Sequence, residues 1–278
     1  MKIVTYIVRT AKNPIGLIGL SIIFLILSAS LFPGIFTSLD PNKMNVAERL
    51  RPPGSNNILG TDEMGRDVFS RVIHGTRLTI SFSLGVIILS IILGTLIGGV
   101  SGYFGGFVDT VVMRVSDIFL AFPQLILAMV IVASLGSSLL NAMIALAMAW
   151  WAQYARLFRA QVLAVKEEQY IEAARTAGSS GLSILFKEIL PNAFPPIIVK
   201  ATLDVSLAIL LLSALSFIGL GAQPPTPEWG AMITTARRYL IDYWWYPTFP
   251  GLAIFVSSMA FNLVGDLLRD LLDPRLSK

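Results

Sequence analysis

Few residues in the apolar parts of this chain could carry charge-based chemistry. Asp204 lies within one long apolar stretch, Arg114 and Asp117 lie one helical turn apart in a second, and Asp266 lies near the end of a third. Charges within a membrane usually face a bundle interior or a water-filled path, where carboxylates relay protons or form structural ion pairs. Only Asp204 is clearly away from a helix end, so we interpret these residues as structural pairs, with a proton relay as the alternative.

The chain offers no recognisable catalytic or metal-binding set. It contains no cysteine, and its single histidine, His74, lies in a polar segment where an ordinary surface or packing role suits it. No paired carboxylates share an apolar stretch, and no phosphate-binding glycine loop is present. We therefore predict that the protein is not an enzyme, binds no cofactor and cannot itself hydrolyse ATP. Its basic residues are spread along the chain, which argues against a nucleic-acid partner.

The composition predicts a protein that is solvated by lipid. Hydrophobic residues make up 55% of the chain and charged residues only 14%, whereas soluble domains carry about 25% charged residues. Six apolar stretches reach the roughly 20 residues that a transmembrane helix needs. We therefore predict an all-α membrane protein with six transmembrane helices. The predicted spans cover residues 14–36, 78–100, 112–135, 138–158, 194–219 and 249–270.

The basic residues also predict the orientation. Six spans place both termini on one side, which holds thirteen of the 21 Lys and Arg residues, and eight lie on the other side. Cytoplasmic segments carry the excess of Lys and Arg, so we predict that both termini are cytoplasmic. The first span could pass for a signal peptide, but its length and the five later spans favour an uncleaved anchor. The chain then divides into a basic segment with the first span (1–36), an extracytoplasmic loop (37–76) and a five-helix core (77–278).

Two outer segments are polar enough to be exposed. Loop 37–76 contains Pro52-Pro53-Gly54 and is predicted to be structured. Residues 220–248 are predicted to contain a short amphipathic helix near 228–242, in a region rich in Trp and Tyr. These aromatic residues suit a belt at the membrane interface or a platform for an external partner, and both can hold.

Proline and glycine mark special points within the spans. Pro123 should kink the third span, because proline removes a backbone hydrogen bond. Gly94 and Gly98, four residues apart in the second span, form a small-residue face that allows close helix packing.

The longest inner segment, residues 160–191, is polar and helix-forming. Ala160 to Ala177 are predicted to form one helix, which the run 178–181 (Gly-Ser-Ser-Gly) ends. Ser183 is predicted to cap a second short helix that stops near Pro191. The apolar residues of the segment argue against a merely solvated linker. We predict two helices at an angle that present a compact surface to a partner.

A motif within this segment resembles the coupling motif of the permease subunits of bacterial ATP-binding-cassette (ABC) importers. The family usually has one residue between its Ile and Leu, whereas these two adjoin here. Residues 59–71, 117–123 and 272–275 are similar to the C subunit of the dipeptide/oligopeptide branch of that family. The coupling motif consists of Glu172, Ala173, Ala174, Gly178, Ile189, Leu190 and Pro191.

The resemblance implies a type I importer fold and a multi-subunit complex in a prokaryotic inner membrane. Its expected partners are a second related permease, two cytoplasmic ATPases that use ATP and Mg²⁺, and an extracytoplasmic substrate-binding protein. The expected cargo is dipeptides or oligopeptides, with nickel or glutathione as alternatives within the same branch. A proton-coupled secondary transporter is a further alternative, although no internal repeat supports it.

The resemblance also assigns roles to residues. The motif residues are expected to contact an ATPase, and we call residues 160–191 the coupling loop. The binding protein is expected to dock on the outer segments, with Asp62, Arg66, Asp67 and Trp229 as its candidate contacts.

Overall fold

A computed structural model describes residues 14–272 of the chain. The basic residues Lys2, Arg9 and Lys12 and the motif residues 273–275 lie outside the described range. Within it the chain consists of helices and loops, with no β-strand. The helices are α1 (Pro14–Leu31), α2 (Pro33–Phe36), α3 (Val68–Phe104), α4 (Gly106–Leu120), α5 (Gln124–Leu135), α6 (Leu139–Lys166), α7 (Gln169–Thr176), α8 (Gly181–Ile184), α9 (Leu190–Ala193), α10 (Pro195–Phe217), α11 (Trp229–Ala236) and α12 (Trp245–Leu272). Short 3₁₀ turns form at Val46–Glu48 and Arg237–Tyr239, and a π-helical turn forms at Leu185–Ile189.

Four helices are long and apolar enough to cross a membrane, namely α1, α3, α10 and α12. The bent pair α4 and α5 provides a fifth if the two helices count as one span. These helices confirm the all-helical prediction and the positions of four predicted spans. α3 is longer than the predicted span 78–100, because it begins at Val68 and ends at Phe104. The count of six spans and their orientation stay predictions.

α6 occupies the predicted fourth span, 138–158, and packs against α3, α4, α5 and α10. Its 28 residues give a length of about 42 Å. Polar residues such as Gln153 and Arg156 make it less apolar than the four membrane-length helices. Its side chains Trp150 and Phe158 are among the largest that are fully buried. A helix that other helices surround does not need the continuous apolar surface that lipid demands.

The third predicted span, 112–135, is a broken helix rather than a kinked one. α4 and α5 meet at an angle of 92°. Pro123 precedes α5 as its N-cap residue, with an extended backbone (φ −56°, ψ 127°), instead of lying within a continuous helix. Proline has no N–H to donate and disfavours helical backbone at Phe122 before it, so one helix ends here and another begins.

α3 and α6 approach each other closely where the glycines of α3 lie. A Cβ atom on Gly94 would collide with Tyr154, and one on Gly98 would collide with the backbone of Ala155. The predicted small-residue face is therefore confirmed as a helix-packing surface. The pairing also places Gly94 and Gly98 of α3 level with Tyr154 and Ala155 of α6.

Loop 37–76 and the segment around α11 pack together at the N-terminal end of α3. Val68 forms a buried apolar cluster there with Ala236, Trp245 and Tyr246. The last nine residues predicted as loop, 68–76, are the first turns of α3. The predicted short helix near 228–242 is present as α11 with the 3₁₀ turn that follows it.

Candidate functional site

The first half of the coupling loop differs from the single predicted helix. The segment from Ala160 to Ala177 forms two helices, because α6 ends at Lys166 and α7 begins at Gln169. Glu168 separates them with an extended backbone (φ −73°, ψ 141°) and serves as the N-cap residue of α7. The chain therefore turns within a stretch whose composition favours a continuous helix.

The second half of the coupling loop also differs in its cap and its end. Ser180, rather than Ser183, caps α8, since its Oγ accepts a hydrogen bond from the Ser183 backbone N–H at 3.3 Å. Helical structure continues through the predicted stop at Pro191 and forms α9. Proline is tolerated in the first turn of a helix, where its missing N–H would have no intrahelical partner.

Gly178 ends α7 in a left-handed backbone conformation, with φ +83°. The Gly178 N–H donates to the Arg175 carbonyl at 3.0 Å, and the Ser179 N–H donates to the Ala174 carbonyl at 3.1 Å. These two bonds form a Schellman motif, which favours glycine because a side chain is strained at positive φ. No atom lies within 4 Å of the Cβ that a side chain there would add. The preference for glycine at this position therefore comes from the backbone and not from packing.

The motif residues divide into an exposed set, a half-buried set and one buried residue. The Glu172 carboxylate makes no hydrogen bond or ion pair within the described part of the chain. It is therefore free to bind a partner. Glu172, Ala173, Gly178 and Pro191 are exposed, Ala174 and Leu190 are half-buried, and Ile189 is fully buried.

The surface of α7 also presents a tyrosine. Tyr170 is 42% exposed. Partial desolvation, together with the neighbouring carboxylates of Glu168 and Glu188, raises the pKa of the Tyr170 phenol above its ordinary value. The hydroxyl is therefore neutral at physiological pH and can both donate and accept a hydrogen bond.

An apolar cluster joins the coupling loop to the long helices α6 and α10. Three buried isoleucines of the loop meet buried residues at the adjoining ends of those helices. Full burial of one isoleucine stabilises by about 1.5–3 kcal/mol, so the three together fix the loop to both helices. The coupling loop is therefore packed against both long helices. The cluster consists of Ile171, Ile184 and Ile189 from the loop, Tyr154, Phe158 and Val162 from α6, Ala193 from α9, and Ile197 from α10.

A second connection joins the coupling loop to the C-terminal end of α3. The Tyr103 carbonyl accepts a hydrogen bond from Lys166 Nζ at 2.9 Å, and the same Nζ lies 5.7 Å from the centroid of the Tyr103 ring. Gly181 lies so close that a Cβ atom there would approach the Tyr103 hydroxyl to 2.5 Å. α3, α6 and α8 thus converge at Tyr103.

Two of the expected docking residues, Asp62 and Arg66, form a buried ion pair inside loop 37–76. Asp62 is 0% exposed and accepts hydrogen bonds from the backbone N–H groups of Met64 and Arg66 at 2.8 and 2.9 Å. Arg66 Nε lies 2.5 Å from Asp62 Oδ2, and the Arg66 guanidinium also pairs with Glu63. Both side chains are buried, so they support loop 37–76 from within, and their contact with an external protein stays a prediction.

The other two expected docking residues, Asp67 and Trp229, are buried as well. Asp67 caps α3 by accepting a hydrogen bond from the Ser70 N–H at 2.7 Å, and it also accepts one from Asn57 Nδ2 at 2.9 Å. Trp229 is 1% exposed, and its Nε1 donates to the Val72 carbonyl at 3.0 Å. These side chains hold loop 37–76 and α11 against α3. Their contact with a binding protein stays a prediction.

The aromatic residues near α11 include both buried and exposed side chains. Trp245 donates from Nε1 to the Thr61 carbonyl at 3.3 Å, and the Tyr246 hydroxyl donates to Glu63. Both residues are buried, whereas Trp244 is 54% exposed. Only exposed members such as Trp244 can face a membrane interface or a partner.

Asp204 and Asp117, which the sequence indicates as intramembrane charges, are paired. Asp204 accepts a hydrogen bond from the Tyr154 hydroxyl at 2.8 Å and lies 2.9 Å from Lys200 Nζ. Asp117 lies 2.5 Å from Arg156 Nη2, and Arg114 is farther away at 4.0 Å. Both carboxylates therefore belong to ion pairs, and the close partner of Asp117 is on another helix. The spacing of Lys200, four residues before Asp204, is the sequence signal from which this helical ion pair could have been predicted.

Glu228 is a buried carboxylate that the sequence pattern did not single out. It caps α11 by accepting a hydrogen bond from the Ala231 N–H at 2.9 Å, and Thr79 Oγ1 donates to it at 3.2 Å. Its side chain is 0% exposed. Burial raises the pKa of the Glu228 carboxyl above its ordinary value, and the hydrogen bonds it accepts oppose this shift in part.

Two solved structures share the fold of this chain. One is described as "Inward facing conformations of the MetNI methionine ABC transporter", with a TM-score of 0.59 and 16% identity over 73% of this chain and 97% of that chain. The other is described as "Crystal structure of an amino acid ABC transporter with histidines", with a TM-score of 0.51 and 20% identity over 69% of this chain and 92% of that chain. At these identities the likeness establishes the fold alone, which is that of an ABC transporter membrane subunit.

The family described as "Binding-protein-dependent transport system inner membrane component" matches residues 72–278, and this chain belongs to it. The protein is therefore a membrane permease subunit of an ABC transport system and not an enzyme. It is 44% identical to the probable D,D-dipeptide transport system permease protein DdpC of Escherichia coli, over 95% of this chain and 88% of that protein. It is also 44% identical to the di/tripeptide permease DppC of Pseudomonas aeruginosa, over 96% and 90%. These relatives confirm the predicted dipeptide/oligopeptide branch.

A nickel permease is nearly as similar. The nickel transport system permease protein NikC of Escherichia coli is 42% identical over 85% of this chain and 86% of that protein. Sequence identity of the permease therefore does not separate peptide systems from nickel systems sharply.

Proposed function

We propose that this chain is one permease subunit of an ATP-driven importer of dipeptides or oligopeptides. One observation carries the proposal. The coupling loop exposes Glu172 and Ala173 on one side and fixes buried isoleucines to α6 and α10 on the other. A loop of this kind can receive a partner and pass its motion to the long helices.

The proposed topology has six spans with both termini in the cytoplasm of a prokaryote. α6 acts as a span because its length of about 42 Å exceeds the hydrocarbon thickness of about 30 Å. α4 and α5 together form one broken span. The excess of Lys and Arg on the side of the coupling loop supports the orientation, and so does the placement of an ATPase contact there.

The proposed mechanism couples ATP hydrolysis to transport by contact. The chain has no phosphate-binding glycine loop, so two partner ATPases, using ATP and Mg²⁺, supply the energy. Closure of the ATPase pair displaces α7 through its exposed motif residues. The buried cluster carries that displacement to α6 and α10 as rigid bodies, which switches the complex between inward-open and outward-open states. A second, related permease subunit forms the other half of the path.

The proposed docking surface for the substrate-binding protein is the exposed side of loop 37–76. Met44, Val46 and Ile58 are exposed apolar residues on this otherwise polar loop, at 57%, 64% and 65%. Exposed apolar residues grouped on a polar surface are typical of protein contacts. The buried ion pair of Asp62 and Arg66 supports the loop from within.

We propose the cargo from the names of the relatives, and its test requires the substrate-binding protein that accompanies the complex. Peptides are favoured because the printed names of several relatives specify dipeptide systems, at 41–44% identity. Nickel remains a second candidate because the nickel permease is similar over most of its length. The test is uptake into vesicles that contain the full complex and its binding protein, with a labelled dipeptide challenged by unlabelled dipeptide, Ni²⁺ or glutathione. Inhibition by unlabelled dipeptide but not by Ni²⁺ or glutathione is expected, whereas no uptake of the labelled dipeptide together with uptake of labelled Ni²⁺ would reassign the cargo.

The test of coupling is the variant Glu172→Ala in the reconstituted complex, with Glu167→Ala as its matched control. Both glutamates belong to the coupling loop, but only Glu172 belongs to the motif. A charge-assisted hydrogen bond contributes about 1.5–3 kcal/mol, so Glu172→Ala is expected to lower uptake per ATP at least about tenfold. Both variants should reach the membrane in normal amounts. Equal uptake by the two variants would contradict the assignment of the coupling loop.

A further inference from the structure

α6 is largely enclosed by its neighbours but leaves one stripe open. The stripe consists of Gln153, Arg156, Leu157 and Ala160, whose i, i+3, i+4 and i+7 spacing places them on one helix face; Arg156 and Ala160 are exposed and the other two are half-buried. The open face of the helix is thus the one that carries an arginine.

This stripe forms one wall of a surface cavity of about 580 Å³. Two of the residues that line the cavity, Arg156 and Lys200, each belong to an ion pair. Arg156 Nη2 lies 2.5 Å from Asp117 Oδ1, and Lys200 Nζ lies 2.9 Å from Asp204 Oδ2. The cavity is lined by Leu120, Gln153, Arg156, Leu157, Ala160 and Lys200.

The cavity lies at a level where other exposed residues are apolar. Gly98 of α3 abuts Ala155 of α6, so Arg156 lies level with the neighbouring part of α3. α3 exposes a continuous apolar stripe there, with Ile92, Leu96 and Val100 at 48%, 64% and 47%. The bundle therefore presents an apolar face and a charged face at the same level. The apolar face suits lipid, whereas a half-exposed arginine requires protein or water around it.

We infer that the cavity is this chain's wall of the water-filled translocation path, and that its two ion pairs serve the charged ends of a zwitterionic peptide. This inference rests on the proposed function. A free peptide carries one carboxylate and one ammonium group. Arg156 and Lys200 can bind the carboxylate, while Asp117 and Asp204 can bind the ammonium group, by exchange of partners. The Arg156–Asp117 pair is about half exposed and therefore interacts weakly, which suits passage better than storage.

Cysteine labelling tests the inference directly, because the native chain contains no cysteine. The variant Gln153→Cys places a thiol in the cavity, and Leu96→Cys places its matched control on the apolar stripe at the same level. Both are labelled in the assembled complex with water-soluble methanethiosulfonates, one carrying a sulfonate and the other a trimethylammonium group. Apolar surroundings raise a thiol pKa by about one unit or more, so Gln153→Cys is expected to react at least about tenfold faster than Leu96→Cys.

The charge of the reagent tests the role of Arg156. Adding Arg156→Gln to Gln153→Cys should lower the ratio of sulfonate to trimethylammonium labelling by about fivefold, since one nearby positive charge is lost. A merely structural arginine would leave this ratio unchanged. Labelling of Gln153→Cys no faster than that of Leu96→Cys would overturn the inference of a water-filled path, and an unchanged ratio would overturn the role of Arg156. Both readouts are taken in complexes with active ATPase subunits, so their failure is distinct from failure of the coupling proposal.

Discussion

Replacing Ile189 by alanine should uncouple transport from ATP hydrolysis without unfolding the bundle. Ile189 is 0% exposed and belongs to the cluster that fixes the coupling loop to α6 and α10. The variant keeps the exposed motif residues, including Glu172, that are proposed to contact the ATPase. It therefore weakens the connection between the loop and the helices and leaves the proposed contact itself in place.

The size of the effect follows from the buried volume that is removed. Isoleucine to alanine at a fully buried position costs about 2–5 kcal/mol, which combines lost burial and the cavity left behind. Each factor of ten corresponds to about 1.4 kcal/mol, so a loss of about 3 kcal/mol raises the population of detached loop roughly a hundredfold. A detached loop can follow the ATPase without moving α6.

The assay measures ATP hydrolysis and uptake together in vesicles that contain the complete complex. We expect Ile189→Ala to retain ATP hydrolysis and to lose most of its uptake per ATP. Ile209→Ala is the matched control, because Ile209 on α10 is also 0% exposed but belongs to the apolar core of the bundle. It should lower thermal stability to a similar extent and leave the uptake per ATP near the native value.

Two results would refute this reasoning. Native uptake per ATP in Ile189→Ala would mean that the buried cluster does not carry the motion. Equal losses of uptake per ATP in Ile189→Ala and Ile209→Ala would mean that general destabilisation, rather than a local connection, determines coupling.

Three further variants test the fold. Gly94→Val should prevent accumulation in membranes because its side chain meets Tyr154, whereas Gly34→Val, with nothing within 4 Å, should accumulate normally on immunoblots. Asp62→Asn should lower the free energy of unfolding by about 3 kcal/mol, because it removes the carboxylate nearest to two buried guanidinium groups and leaves only the Glu63 pair to Arg66; a melting temperature equal to that of native protein would contradict this. Burial raises the pKa of Glu228 in the folded state, so ionisation of this carboxyl disfavours folding. The stability of native protein should therefore fall as the pH rises above the ordinary carboxyl pKa of 4.5, whereas Glu228→Gln lacks this loss and should become the more stable of the two. A difference in melting temperature that does not vary with pH would count against it.

The sequence predicted the long apolar helices and the ends of several local elements well. Four predicted spans are helices, and Gly178 ends α7 with a positive φ. These features depend on local composition and on backbone sterics, which a single stretch of sequence carries. The same local reasoning placed the interruption at Pro123, but it predicted a kink where the structure has a 92° break. The extent of a bend depends on what the two segments pack against.

The candidate site was predicted only in part. The motif of the coupling loop is recognisable from its residues, yet the sequence did not separate exposed Glu172 from buried Ile189. Asp62 and Trp229 were expected to contact the binding protein because they lie in the two outer segments on which it is expected to dock. Their partners, Arg66 and the Val72 carbonyl, turn them inward.

The sequence by itself determined the class of protein, because membrane insertion requires long apolar helices and the coupling motif is a short pattern within one segment. Only the tertiary structure decided which residues of the site face a partner and which fix the loop to α6 and α10. It also decided that the exposed stripe of α6 carries Arg156 beside Asp117. Burial and pairing of this kind arise from contacts between segments that are far apart in the chain, and a local pattern of residues carries no record of them.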